Sequence, residues 1–110
     1  MSDRTDSELL TDVSEACDRI SCYIAGLSYD TFIADIKTQD AVIRNLEVIG
    51  EASVKISPGL KKKHPEIEWA SITGMRNKLI HDYFGVNIDI VWNVATTDMQ
   101  NLKQKLSGLM

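Results

Sequence analysis

The chain has 110 residues, of which 44% are hydrophobic and 25% charged, and its formal net charge at neutral pH is -4. This length suits a single domain over residues 1–110, and a mixed charge pattern with only two prolines argues against disorder. An acidic chain is not a general nucleic-acid binder, because such binding depends on Lys and Arg neutralising phosphates. Any nucleic-acid site must therefore be local.

The sequence has no recognisable signal for export or membrane insertion. No apolar segment follows the N-terminal residues, and no apolar run is long enough to span a bilayer. We therefore expect a cytoplasmic protein. Cys17 and Cys22 are five residues apart in one predicted helix, a spacing that suits neither a disulfide nor a zinc pair, so both are expected to be core or boundary thiols.

The first half of the chain predicts two amphipathic helices. Apolar residues recur at intervals of three and four from Ser7 to about Leu27, which indicates helix 1. After a short break, Asp30 is expected to cap a turn and Thr38 to cap helix 2, which runs to about Ile56.

The second half predicts two more helices. Pro58 and Gly59 should end helix 2, and the basic residues after them should lie in a loop. Pro65 is the expected first residue of helix 3, which extends to about Tyr83, and helix 4 should begin after a cap at Asn87 or at the nearby aspartate. The predicted fold class is all-α, a small antiparallel bundle of four to five helices.

One strongly basic run interrupts the acidic chain, formed by Lys61, Lys62 and Lys63. Such runs are most often solvated surface, and contact with a phosphate is the alternative.

Predicted helix 3 has a charged residue in its apolar stripe. At about 100° per residue, Trp69, Ile72, Leu79 and Tyr83 fall in the sector that also contains Arg76. A guanidinium is costly to bury alone, so it should meet a carboxylate, an anion-binding cleft or a subunit boundary. The structural interpretation is an ion pair with an acid of helix 2, either Glu47 or Glu51.

The neighbours of Arg76 allow a chemical interpretation. His81 alone could simply bond helix carbonyls, and Tyr83 alone could be a core residue. Taken together, Arg76 offers a fork of donors for a phosphate, His81 can move protons near neutral pH, and Asn77 can orient either one. This set suits metal-independent RNA cleavage, in which the RNA 2'-hydroxyl attacks its own phosphate, and it calls for no cofactor and no metal.

The same residues resemble a known family. Arg76-Asn77-x3-His81-x-Tyr83 resembles the Arg-x4-6-His motif of HEPN-domain ribonucleases, in the HepT-like branch where a tyrosine follows. Residues 38–52, 64–69 and 81–86 also resemble that branch, so the likeness extends along most of the chain.

The resemblance implies a HEPN-like helical bundle that acts as the toxin of a prokaryotic toxin-antitoxin pair. Its activity would be that of an RNA endonuclease, working as a homodimer whose two motifs face each other across a cleft. His81 would be the general acid or base, Arg76 would stabilise charge on the phosphate, and Asn77 would orient them. Lys78 and the lysine run would add positive potential to the cleft.

The resemblance also implies a partner, a minimal nucleotidyltransferase antitoxin that transfers AMP to the motif tyrosine, here Tyr83. Two alternatives stay open from the residues. The chain could be a non-catalytic nucleotide- or partner-binding subunit of a nucleotidyltransferase complex. It could also be a purely structural helical dimer, which would require Arg76 to be buried against Glu47 or Glu51.

Overall fold

A computed structural model describes residues 4–74 and 87–109 of the chain, and within these ranges it contains helices and no strand. The predicted all-α class is therefore confirmed. None of the helices in the described ranges has the length and apolar content needed to cross a membrane. In chain order the helical segments are α1 (Asp6–Ile24), α2 (Tyr29–Ile33), α3 (Ile36–Lys55), α4 (Pro58–Lys63), α5 (69–74), α6 (Ile88–Asn93), a π-helical turn (Val94–Asp98) and α7 (Met99–Ser107).

α1 packs antiparallel to both α3 and α7. Asp6, at the start of α1, accepts hydrogen bonds from Ser57, just after the end of α3, at 2.9 Å from the amide and 2.5 Å from the hydroxyl. Gln100 Nε2 donates to Ser21 Oγ at 2.8 Å. Lys103, one turn further along α7, forms an ion pair with Asp18, one turn earlier in α1. Residue numbers therefore rise along one helix as they fall along its neighbour, as in a short-loop bundle.

One core joins these helices, and the apolar faces predicted from the periodicity supply most of it. Its largest fully buried aliphatic side chains come from α1, α3, the bend before α5, and the last two helices: Val13, Ile20, Val42, Leu46, Ile49, Ile67, Val91 and Leu106. Phe32 of α2 is also fully buried. Each such side chain contributes about 1.5–3 kcal/mol through burial.

The two cysteines differ. Cys17 lies in the core, where burial raises the pKa of its thiol to about 11, so the thiolate needed for reactivity is scarce at neutral pH. Cys22 is exposed rather than in the core or at its boundary.

Several helix starts differ from the predictions because another side chain caps the amide groups. α1 begins at Asp6 after a capping box between Thr5 and Glu8. Ser28, not Asp30, caps α2. Asp35 caps α3 by accepting from the Thr38 amide at 3.0 Å, which puts Thr38 in the first turn instead of at the cap.

The segment between α3 and α5 is also more helical than predicted. Ser57 caps a new short helix, with Pro58 in its first turn, so the three lysines lie in the last turn of α4 and not in a loop. Cations are stabilised at that end of a helix by its dipole. Pro65 is in a turn, and the helix that follows starts only at Trp69, so the prediction that Pro65 is its first residue was wrong.

The C-terminal helix is capped by Asn87, one of the two predicted alternatives, but it is not a continuous α-helix. In its π-helical turn the Met99 amide donates to the carbonyl of Val94, five residues earlier. A π-turn inserts one extra residue and rotates the side chains that follow it.

Candidate functional site

In the sequence, the predicted catalytic and modification residues and the predicted substrate-binding Lys78 fall between the two described ranges, 4–74 and 87–109. Arg76, Asn77, Lys78, His81 and Tyr83 all fall in residues 75–86, outside the described residues, and so does any pairing of Arg76 with an acid of α3. The structure does describe the two segments that lead into this stretch.

The segment on the N-terminal side is fixed by backbone and side-chain bonds. The carbonyl of His64 accepts from the Ile67 amide at 3.2 Å and from the Trp69 indole Nε1 at 3.0 Å. Ile72 is buried and Trp69 is half-buried, so these two members of the predicted apolar stripe pack within a single chain. These contacts therefore fix the orientation of the first turn of α5, which precedes the motif in the sequence.

The segment on the C-terminal side is anchored to α2. The Asn87 side chain accepts from the Asp89 amide at 2.9 Å and so starts α6. The Tyr29 hydroxyl donates a hydrogen bond to the Asp89 carboxylate, and this bond raises the pKa of Tyr29. One turn later Trp92 packs on Phe32, with ring centroids 4.9 Å apart. The sequence suggested Asp89 only as a cap, because no local pattern relates residues sixty positions apart.

Of the predicted substrate-binding residues, the structure describes three. Lys62 and Lys63 are exposed, and Lys61 is half-buried near Asp6, whose carboxylate also accepts from Ser57. In the described part of the chain, no carboxylate forms an ion pair with these lysines. Lys62 and Lys63, which are exposed, can therefore be reached by a phosphate as point charges, whereas Lys61 interacts electrostatically with Asp6.

The comparisons with known proteins agree with the resemblance. Residues 13–109 match the sequence model of the family described as "Ribonuclease HepT-like". A protein of Thermococcus cleftensis named "Probable ribonuclease HepT" is 42% identical over 106 residues, which cover 96% of each chain. Proteins named "Putative RNase" are 32% identical in Caldanaerobacter subterraneus, over 97% of this chain and 96% of the relative, and 39% identical in Methanocaldococcus jannaschii, over 84% and 76%.

No solved structure gives a significant match to this chain. The family match covers nearly the whole chain, includes the stretch from Arg76 to Tyr83, and agrees with the all-α fold. The chain therefore belongs to the HepT-like ribonuclease family, whose activity is RNA cleavage.

Proposed function

We propose that this protein is the RNA endonuclease toxin of a toxin-antitoxin pair, acting in the cytoplasm. The observation that supports this most is the family match over residues 13–109, which contains the complete Arg76, Asn77, His81 and Tyr83 motif. The hydrogen bonds of Trp69 and Asn87 also support it, because they fix the described segments that precede and follow the motif in the sequence.

In the proposed reaction the RNA supplies its own nucleophile. The 2'-hydroxyl attacks the adjacent phosphorus and the bond to the 5'-oxygen breaks, leaving a 2',3'-cyclic phosphate and a 5'-hydroxyl end. His81 takes the proton from the 2'-hydroxyl or delivers one to the leaving oxygen, and Arg76 stabilises the added charge on the phosphate with its two parallel donors. Asn77 orients the two side chains.

The active unit in this proposal is a homodimer. Two copies of Arg76 and Lys78 facing one cleft would concentrate positive potential in a chain whose net charge is -4. The exposed ammonium groups of Lys62 and Lys63 would contact the RNA backbone outside the cleft.

The catalytic proposal is tested by RNA cleavage with purified protein in the presence of a chelator. His81→Ala should lose about 10²- to 10⁴-fold in rate, as expected for removal of a general acid or base. His64→Ala removes the other histidine and should cleave as the wild type does, because the bonds that hold this turn use the backbone carbonyl of His64. Arg76→Lys should also be slow, since lysine keeps the charge without the fork.

Cleavage that His81→Ala leaves unchanged, or that starts only when Mg²⁺ is added, would contradict this mechanism. A protein that binds a nucleotidyltransferase but cleaves no RNA would favour the alternative, a non-catalytic partner-binding subunit.

The proposed partner is a minimal nucleotidyltransferase antitoxin that transfers AMP to Tyr83. The phosphodiester anion and nucleoside added there would compete with RNA for Arg76 by charge and by bulk. Co-expression with an active nucleotidyltransferase should raise the mass of the chain by AMP units and abolish toxicity. Tyr83→Phe should stay unmodified and toxic, whereas Tyr23→Phe, which changes an exposed tyrosine of α1, should be neutralised normally. Full neutralisation of Tyr83→Phe would mean that binding alone inhibits.

A further inference from the structure

A cavity of about 160 Å³ opens on the surface between α5 and the C-terminal helix. Five apolar residues form the floor of the cavity, two from the α5 side and three from the C-terminal helix. Each floor residue is at most 8% exposed: Ile67, Ile72, Val94, Met99 and Leu102. The cavity therefore has an apolar lining of buried side chains and is open to the surface.

The rim of this cavity is polar and of mixed charge. Glu68 and Ser71 stand on the α5 side, and Asp98, Asn101 and Lys105 stand on the opposite side. All five are exposed. The rim thus offers two carboxylates that accept hydrogen bonds, one ammonium group that donates them, and an amide and a hydroxyl that can both donate and accept.

The π-helical turn forms part of this wall. Val94 begins the turn and Asp98 ends it, and both line the cavity, with Met99 directly after. π-helical turns are rare and occur frequently at functional sites. This turn supplies both a floor residue and a rim carboxylate of the cavity, which independently supports a binding role for the cavity.

The size and chemistry of the cavity favour one kind of occupant, a nucleobase. An enclosed apolar cavity of about 150 Å³ holds one benzene ring, so the volume of this open one, about 160 Å³, accommodates a six-membered ring whose attached groups extend towards solvent. The polar edge of the ring would then meet the rim. Carboxylates such as Glu68 and Asp98 accept hydrogen bonds from amino groups, and Lys105 donates to a ring carbonyl, so the rim suits a base with an exocyclic amino group better than uracil.

The cavity is also near enough to the motif to serve the same RNA. Ile72 precedes Arg76 by four residues, and a chain of four residues spans at most about 15 Å between Cα atoms in any conformation. Single-stranded RNA is read by bases turned out into protein pockets, so a base a few nucleotides from the scissile phosphate could occupy the cavity. We infer that the cavity between α5 and the π-helical turn binds an unpaired, amino-bearing nucleobase of the RNA substrate and sets the sequence preference of cleavage. This inference rests on the proposed function.

Binding can be measured without cleavage, because nucleosides contain no scissile phosphate. In NMR titrations of the full-length protein, cytidine should shift the methyl signals of Ile72, Val94 and Met99, and uridine should shift them much less. Asp98→Asn and Glu68→Gln change exposed rim residues and should weaken cytidine binding about 10-fold between them, as loss of a base-edge contact does. The control Glu15→Gln removes an exposed charge of α1 and should bind as the wild type does.

The effect on specificity is read from the ends of fragments cut from a random RNA pool. The wild type should prefer an amino-bearing base at one fixed position from the cut, and Asp98→Asn should reduce that preference about 10-fold. A preference that is identical in wild type and Asp98→Asn would overturn the inference. So would methyl shifts of equal size with uridine and cytidine, or shifts produced by a helical peptide and by no nucleoside.

The outcomes separate this inference from the proposed function. If cleavage depends on His81 but no nucleoside binds, the base-binding inference is refuted and the catalytic proposal stands. Cytidine binding in a protein that cleaves no RNA would instead keep the cavity as a base-binding site and refute the catalytic proposal.

Discussion

At the scale of single residues, Asp6 shows how one carboxylate can join two helices. It lies in the first turn of α1 and accepts both hydrogen bonds of Ser57, the residue that also caps α4. The hydroxyl and amide of Ser57 hold the pKa of Asp6 below its ordinary value. The contact therefore links the start of the chain to the segment that contains the three lysines.

This contact predicts a pH dependence of stability. Because the pKa of Asp6 is lower in the folded than in the unfolded chain, ionised Asp6 stabilises the fold above its unfolded pKa of about 4, and this contribution is lost as pH falls through the folded pKa. Asp6→Asn should lower the free energy of unfolding near neutral pH and have a smaller effect in acid. Urea denaturation over a pH series measures both.

The matched control is Asp40→Asn, which changes an exposed carboxylate on α3. Its effect on unfolding should be small at every pH. If Asp6→Asn lowers stability by the same amount in acid and at neutral pH, the ionised contact with Ser57 does not stabilise the fold.

At the scale of elements, the helix ends depend on a few special residues. α1 stops at Ile24, and Gly26 follows with a φ of 77°, a left-handed conformation that L side chains rarely adopt. Gly59 lies inside α4 without a positive φ, and a Cβ there would meet no atom within 4 Å. Both glycines are exposed and have room for a Cβ, but they differ in backbone conformation.

This difference predicts opposite effects of one substitution. Gly26→Ala should destabilise the protein by about 1 kcal/mol, because a Cβ is strained at positive φ even where space is free. Gly59→Ala should stabilise it by about 0.5–1 kcal/mol, because alanine loses less entropy in a helix. Thermal or urea unfolding of both variants measures the contrast, and equal changes in stability would contradict this account of the turn.

At the scale of the whole molecule, the buried residues of the described ranges form one core within the chain. Ile72 is buried in this core, and half-buried Trp69 donates its indole N–H to the carbonyl of His64. The proposal of a homodimer therefore depends on Arg76 and on the composite cleft.

The proposed homodimer predicts a specific mass in solution. Multi-angle light scattering should give twice the 12.3 kDa of the chain at micromolar concentration and above. The same mass is expected for His81→Ala, since this change affects proton transfer and not assembly. A monomer throughout the concentration range, in a sample that still cleaves RNA, would show that the catalytic unit is a single chain.

The sequence by itself determined the fold class, the faces of the long helices and the family. Periodic apolar residues must be buried, so their spacing alone predicts that Val13, Leu46 and Leu106 lie in a core, as they do. The motif from Arg76 to Tyr83 suggests chemistry from the residue types and their spacing, because a guanidinium that can bind phosphate, an imidazole that can transfer protons and an orienting amide occur close together in the sequence.

Only the tertiary structure decided the features that join distant parts of the chain. The competition between Asp35 and Thr38 for a cap, the Tyr29 bond to Asp89, and the cavity between Glu68 and Asp98 all depend on distances between groups, which local sequence patterns do not encode. The π-helical turn is of the same kind: Val94–Asp98 contains neither proline nor glycine, so no local sequence signal marks it.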